Sequence, residues 1–166
     1  KGYQKFDFDD FNDQLIKLTS FLNIEKFNLI GFSLGSLIAQ HFTSKYYNKI
    51  NKLIIIASVY NRSLQQNNNI NKRYKMYLDG KKQTDITIKR WFNNKYLNDN
   101  PKIYGLFYKL LEKNKIDNFL PAYKLFLDSD KYKINFSNIK MPTLIITGAK
   151  ETGSTPNMSK SLNKKI

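Results

Sequence analysis

A chain of 166 residues, 41% hydrophobic and 14% aromatic, is long enough to bury the core of one domain. It contains no apolar run of about 20 residues that would span a membrane, and the absence of cysteine removes disulfides and thiolate metal sites. The formal net charge of +15 invites a polyanionic partner, yet the lysines are scattered among asparagines with no run longer than "KK". A nucleic-acid interface would gather them on one face or motif, so no nucleic acid is expected as a partner.

In chain order, "KGYQKFDFDDF" is acidic and aromatic where a cleavable signal would be basic and then apolar, so a cytoplasmic location is the default. The chain opens on Lys1 and ends on "NMSKSLNKKI" without an obvious closing element, which reads as part of a longer polypeptide. "DDFNDQLIKLTSFL" carries Phe11, Leu15, Leu18 and Leu22 at the spacing of one helix face, with Asp9 or Asp10 placed to cap it. "EKFNLIGF" reads as a short buried strand, and Leu34, Leu37, Ile38, Phe42 and Tyr46 mark a second helical stripe. "NKLIIIAS" is a continuous β-branched run of the kind buried on both faces of a parallel sheet.

From Val59 to about Tyr132 only helical segments are legible: "INKRYKMYL", "DITIKRWFNNKYL", "PKIYGLFYKLLEKN" and "DNFLPAYKLFLDSD". Pro101 suits a first helical turn, whereas Pro121 starts or kinks a helix. "NRSLQQNNNIN" reads as a polar link. A third strand, "IKMPTLIITG", then precedes "AKETGSTP" and an amphipathic end. The predicted architecture is α/β: core parts at 1–58 and 134–166, three contiguous parallel strands, and an all-helical cap at 59–133. With both outer edges of that sheet unpaired, poor solubility is expected of these residues alone.

"Gly31-Phe32-Ser33-Leu34-Gly35" joins a strand to a helix, the context of a nucleophile elbow. So sharp a turn strains the serine backbone and exposes its hydroxyl, and glycines two residues on either side remove Cβ atoms that would clash. The helix N-terminus favours developing negative charge, with the Leu34 backbone N–H as oxyanion donor. The plainer alternative is an ordinary turn in which Ser33 caps the helix. Serine needs a base and the base an orienting acid. The only histidine, His41, lies eight residues along the same helix, about 12 Å from Ser33 by helical rise, and reads as a packing residue. Glu151, just beyond the third strand, is the candidate acid; Asp128 and Asp130 are the runners-up.

These stretches resemble the α/β-hydrolase fold family. "FDDFNDQLIKLTSFLNIEKFNLIGFSLGSLIAQHF" is similar to its helix, strand, elbow and following helix, and "IKMPTLIITGAKETGSTPNMSKSL" to its late strand and acid loop. In relatives that loop commonly reads Gly-x-x-Asp before Gly-Ser-Thr-Pro; here Glu151 takes the aspartate position and "GSTP" occupies Gly153 to Pro156. The insert, with "SVYNRS", "RWFNN", "NP" and "PAYKLFLDSD", is similar to the cap of the 3-oxoadipate enol-lactonase-like branch. The resemblance implies a serine nucleophile at Ser33, a triad acid at Glu151, a second oxyanion donor before Lys1 and a catalytic histidine beyond Ile166. An aspartate-nucleophile dehalogenase chemistry is disfavoured by Ser33.

The expected function is hydrolysis of an ester, lactone or related activated carbonyl in a small molecule, by the full-length protein and not by these residues alone. No metal or organic cofactor is implied. Among the insert's aromatics (Trp91, Phe92, Tyr104, Phe107, Tyr108, Tyr123 and Phe126), Trp91 and Phe92 are the candidate pocket-lining residues. Arg62 and Arg90 are candidates to hold a substrate carboxylate. The alternative is a non-catalytic remnant of the same fold that at most binds a small molecule.

Overall fold

A computed structural model describes residues 5–166. The elements run α1 (Phe8–Phe21), β1 (Phe27–Phe32), α2 (Leu34–Lys45), β2 (Ile50–Ile56), α3 (Leu64–Leu78), α4 (Thr84–Trp91), α5 (Asn94–Asp99), α6 (Pro101–Lys113), α7 (Ile116–Asp128), β3 (Thr143–Ile146) and α8 (Pro156–Asn163). The strands form one parallel sheet in the order β1-β2-β3. Leu29, Leu53 and Thr143 are aligned across it, as are Gly31, Ile55 and Ile145. Two compact units result: one holds Asn67–Leu127, and the other joins Phe6–Gln66 to Asp128–Ile166 and contains the sheet. No helix among the described residues is long and apolar enough to cross a membrane.

In the sheet-bearing unit the core lies on one face. Ala39 and Phe42 of α2, Leu162 of α8 and Ile139 pack on Ile50, Leu53 and Ile55 of β2. The period of two shows in β1, in β3 and over Leu53–Ile56 of β2. The opposite face carries Ile30, Phe32, Leu144 and Ile146, each 42–66% exposed, beside the half-buried Ile54 and Ile56. Among the described residues, the second strand, expected from its apolar run to be buried on both faces, is fully buried on one and half-buried on the other. The helices α2 and α8 cover a single side.

The start of α1 corrects another expectation. Asp7, not Asp9 or Asp10, is the N-cap: its carboxylate accepts the Asp9 N–H, and Asp10 reaches back to the Asp7 N–H at 2.7 Å. This reciprocal capping box lets the helix begin early enough to bury Phe8. The buried stripe of α1 is rotated as well, running through Phe8, Asn12 and Thr19 while Leu18 and Leu22 face solvent. Both buried polar side chains are engaged. The Thr19 hydroxyl donates back to Leu15 and Ile16 carbonyls, and Asn12 bonds to α2.

The stretch read as a polar link is mostly helix. α3 begins at Leu64 because Ser63 and Gln66 form a capping box: the Ser63 hydroxyl accepts the Gln66 backbone N–H, and the Gln66 side-chain Oε1 accepts the Ser63 N–H. "DITIKRWFNNKYL" is two helices, since Phe92 turns to extended backbone and Asn93 caps α5 by accepting the Tyr96 N–H. Pro101 does open α6, whereas α7 continues through Pro121.

His41 locks α1 to α2. It is buried, stacks on Phe8, meets Tyr132 edge-on, and accepts the Asn12 Nδ2–H at Nδ1 across 3.0 Å. Asn12 gives its other N–H to Asp9 at 2.9 Å, so flipping the amide would set its oxygen against that carboxylate. His41 Nδ1 is therefore an acceptor, and the ring is neutral. Burial, followed by the nearby Lys45 ammonium, pushes its pKa below the ordinary histidine value, outweighing the opposing pull of Asp9 and Asp7. Between the ordinary value of about 6.5 and the native one, the unfolded chain binds a proton that the folded chain refuses. This contribution to stability is complete above about pH 6.5 and is lost as the pH falls below it. Urea unfolding at a series of pH values should show a decline over that window that His41→Gln removes. An unchanged decline in the variant would assign it to other groups.

Candidate active site

β1 enters α2 without a loop residue to spare, and Ser33 takes the bend. Its backbone adopts φ 53° and ψ −120°, a left-handed conformation that costs a non-glycine residue roughly 1–3 kcal/mol. Both of its peptide groups are held. The N–H donates to the Ile56 carbonyl at 3.0 Å, while the carbonyl accepts the Ser36 N–H at 3.0 Å and the Ser36 hydroxyl at 2.5 Å. Ser33 stands at the N-cap position of α2, but its hydroxyl makes no capping hydrogen bond and the residue is exposed. The hydroxyl is therefore not spent on stabilising the helix.

The two motif glycines prove unequal. A Cβ built on Gly31 would meet the Gly35 carbonyl oxygen at 2.3 Å and Ser36 Cα at 2.7 Å, both backbone atoms that cannot swing aside. One built on Gly35 meets nothing within 4 Å, so the expected steric need for a second glycine is not there. Gly31→Ala should destabilise the full-length protein by about 3 kcal/mol, the upper range of overpacking costs, by forcing α2 off β1. Gly35→Ala should stabilise it by up to about 1 kcal/mol through helix propensity. Paired urea-denaturation curves decide the matter; equal effects in the two variants would contradict this close approach of strand and helix.

Leu34 opens α2, so its N–H is one of those the helix itself cannot satisfy, and it lies at the positive end of the helix dipole. Glu151 follows β3. Its N–H closes a turn onto the Gly148 carbonyl, and its Oε1 accepts the Gly153 N–H at 2.7 Å. Below it, the Thr147 hydroxyl donates to the Ser154 carbonyl at 2.6 Å, and Thr155 caps α8 by accepting the Met158 N–H. "GSTP" thus serves as the structural base of the loop and delivers the chain into α8, leaving the Glu151 side chain exposed.

Because the strands are parallel, Ser33 and Glu151 follow strand ends on the same edge of the sheet. β2 alone separates the strands that deliver them. His41 bridges neither group, being held in the α1–α2 joint by Asn12.

The other candidates are placed as follows. Arg62 is buried, donating from Nε to Asp130 at 3.0 Å and from Nη2 to the Ser129 hydroxyl at 3.1 Å. It fastens the chain segments on either side of the helical unit, so this guanidinium is committed to the fold. Asp128 pairs with Lys131 at 2.8 Å. Arg90 is an exposed residue of α4. In the helical unit, Trp91 packs edge-on to Phe107, and Phe92 packs against Tyr96 and Phe107. A cavity inside that unit is lined in part by Tyr77, Thr87, Leu111, Ile116 and Phe119; neither Trp91 nor Phe92 borders it.

A buried polar chain behind the turn went unread in the sequence: Ser36, Gln40 and Ser58, all under 2% exposed. The available signal was polar residues at i and i+4 inside the apolar stripe of α2.

Comparison with known proteins bears on this geometry. The family model described as alpha/beta hydrolase fold matches residues 1–166. The chain is 28% identical over 152 residues to (E)-2-((N-methylformamido)methylene)succinate hydrolase of Acinetobacter baylyi, an alignment covering 90% of this chain and 57% of that protein. Its structure is similar to the enol-lactonase from Burkholderia xenovorans LB400, with a TM-score of 0.81 at 17% identity, covering 98% of this chain and 63% of that one. It is also similar to MGS-M2, an alpha/beta hydrolase enzyme from a Medee basin deep-sea metagenome library, with a TM-score of 0.78 at 22% identity, covering 100% and 62%. The chain thus spans less than two thirds of the length of each of these relatives. With the family model matching from first residue to last, and the same fold in the solved structures, the chain belongs to the alpha/beta hydrolase fold family.

Proposed function

We propose that the full-length protein is a serine hydrolase acting on an ester, lactone or related activated carbonyl of a small molecule. The observation that carries this reading is the Ser33 hydroxyl: exposed, on a left-handed backbone between a strand end and a helix N-terminus, and free of capping duty. Relatives named as an enol-lactonase and as a succinate-derivative hydrolase support the reaction class.

In this mechanism Ser33 Oγ attacks the carbonyl carbon while an imidazole takes its proton. Glu151 orients that imidazole and stabilises the imidazolium, and the Leu34 N–H donates to the oxyanion. Collapse of the tetrahedral intermediate breaks the bond to the leaving oxygen, which receives the proton, and leaves an acyl group on Ser33. Water, deprotonated by the same imidazole, then releases the acid and restores the serine. Since His41 is committed elsewhere, the imidazole is assigned to a part of the protein outside these 166 residues.

The full-length protein mixed with p-nitrophenyl acetate in a stopped-flow instrument should release p-nitrophenolate in an initial burst approaching one equivalent, followed by slower turnover. Absence of turnover with both this ester and a simple aryl lactone would overturn the reading.

A further inference from the structure

The buried chain behind Ser33 makes a continuous connection between the catalytic turn and the neighbouring strand. The Ser36 N–H and hydroxyl both hold the Ser33 carbonyl. Gln40, one turn further along α2, donates from Nε2 to the Ser36 carbonyl at 2.9 Å and to the Ser58 hydroxyl at 2.9 Å, using both amide hydrogens. Ser58 in turn donates to the Val59 carbonyl at 3.3 Å. Ser58 lies where the chain leaves β2, next to Ala57. Ala57 has φ 51°, and its N–H donates to the Ile146 carbonyl at the end of β3.

The placement matters more than the number of bonds. β2 lies between the strand that delivers Ser33 and the strand that delivers Glu151. A tie from α2 to the exit of β2 fixes the helix against the sheet edge where both groups emerge. α2 also carries the Leu34 N–H as its first residue, so a shift of the helix moves the nucleophile and the oxyanion donor together. Burial makes the tie strong, because donors and acceptors removed from water cannot exchange partners cheaply.

We propose that Gln40 and Ser58 are positioning residues that hold the Ser33–Leu34 turn in register with the acid-bearing edge of the sheet. The inference rests on the serine hydrolase reading. It predicts a loss in the chemical step with little change in substrate binding, since neither side chain is exposed to a ligand. A displacement of the order of 1 Å at such a turn costs up to about 10²-fold in rate.

The test uses the full-length protein with p-nitrophenyl acetate, and the rate of labelling by a fluorophosphonate as a second readout. Gln40→Met keeps the volume and removes both donors; Ser58→Ala removes the acceptor, and Ser58→Thr restores it. Gln40→Met and Ser58→Ala should each lower kcat about 10- to 100-fold with KM within about twofold, and slow labelling in parallel. Ser58→Thr should recover most of kcat. The double variant should lose no more than the worse single one, since both break the same connection. Wild-type kcat in Gln40→Met and Ser58→Ala, whatever their melting temperatures, would overturn the proposal, as would equal impairment of Ser58→Thr and Ser58→Ala. If Gln40→Met does not fold, the Ser58 pair decides alone. Ser33→Ala separates the two claims: retained labelling there removes the nucleophile reading and the positioning role with it. Lost labelling there, with normal Gln40 and Ser58 variants, removes the positioning role only.

Discussion

Ser33→Ala in the full-length protein is expected to lower kcat on the order of 10⁴- to 10⁶-fold, the range in which loss of a serine nucleophile places the residual rate near that of binding and oxyanion stabilisation alone. The fold should survive, because the hydroxyl bonds nothing in the helix and the contacts of the turn are made by backbone groups. Ser33→Gly should be equally inactive and more stable than wild type by about 1 kcal/mol. Glycine adopts φ 53° without the penalty that serine carries there. Lost activity with gained stability is the signature of strain kept for function. A glycine variant less stable than wild type would mean that the bend is not strained.

Glu151→Gln should cost about 10³- to 10⁴-fold in kcat, since an amide orients the imidazole less faithfully and cannot stabilise the imidazolium. The loop itself has little reason to change, because the glutamine side-chain oxygen can still accept the Gly153 N–H. Glu151→Asp is the informative companion. The resemblance of this loop to the family's Gly-x-x-Asp pattern implies that aspartate fits here, so the shorter acid should retain activity within about tenfold, near 1.4 kcal/mol in barrier. If the glutamine variant keeps wild-type kcat, the acid lies elsewhere. Asp128 and Asp130 are poor substitutes, since both are held in ion pairs, with Lys131 and Arg62 respectively.

Legibility in the sequence followed the strength of local physics. β2 and β3 were readable from the β-branched runs "LIII" and "TLII", the latter set between Pro142 and Gly148, and β1 from the short apolar stretch that leads into the Gly-x-Ser-x-Gly turn. The bend at Ser33 was readable because glycine at position 31 answers a steric demand that the structure places at 2.3 Å from backbone. Gly35 carried no such demand and was over-read. Helix starts were displaced where polar residues cap reciprocally: Asp7 with Asp10, and Ser63 with Gln66. Low-complexity polarity hid the second pair.

The orientation of α1 was not legible. It depends on which side tertiary packing covers, and a buried Asn12–His41 bond outweighs the leucine stripe of α1. Gln40 and Ser58 escaped for a related reason. They are 18 residues apart, and polar side chains at such separation advertise nothing until folding brings them to 2.9 Å.

The most direct measurement is the site of covalent attachment. Full-length protein treated with a fluorophosphonate, digested and sequenced by tandem mass spectrometry should carry a single phosphonyl group on the peptide containing "GFSLG", localised to Ser33. An adduct on Ser36, on Ser58 or on a serine outside this turn, or no adduct from an active preparation, would contradict the assignment of Ser33 as the nucleophile.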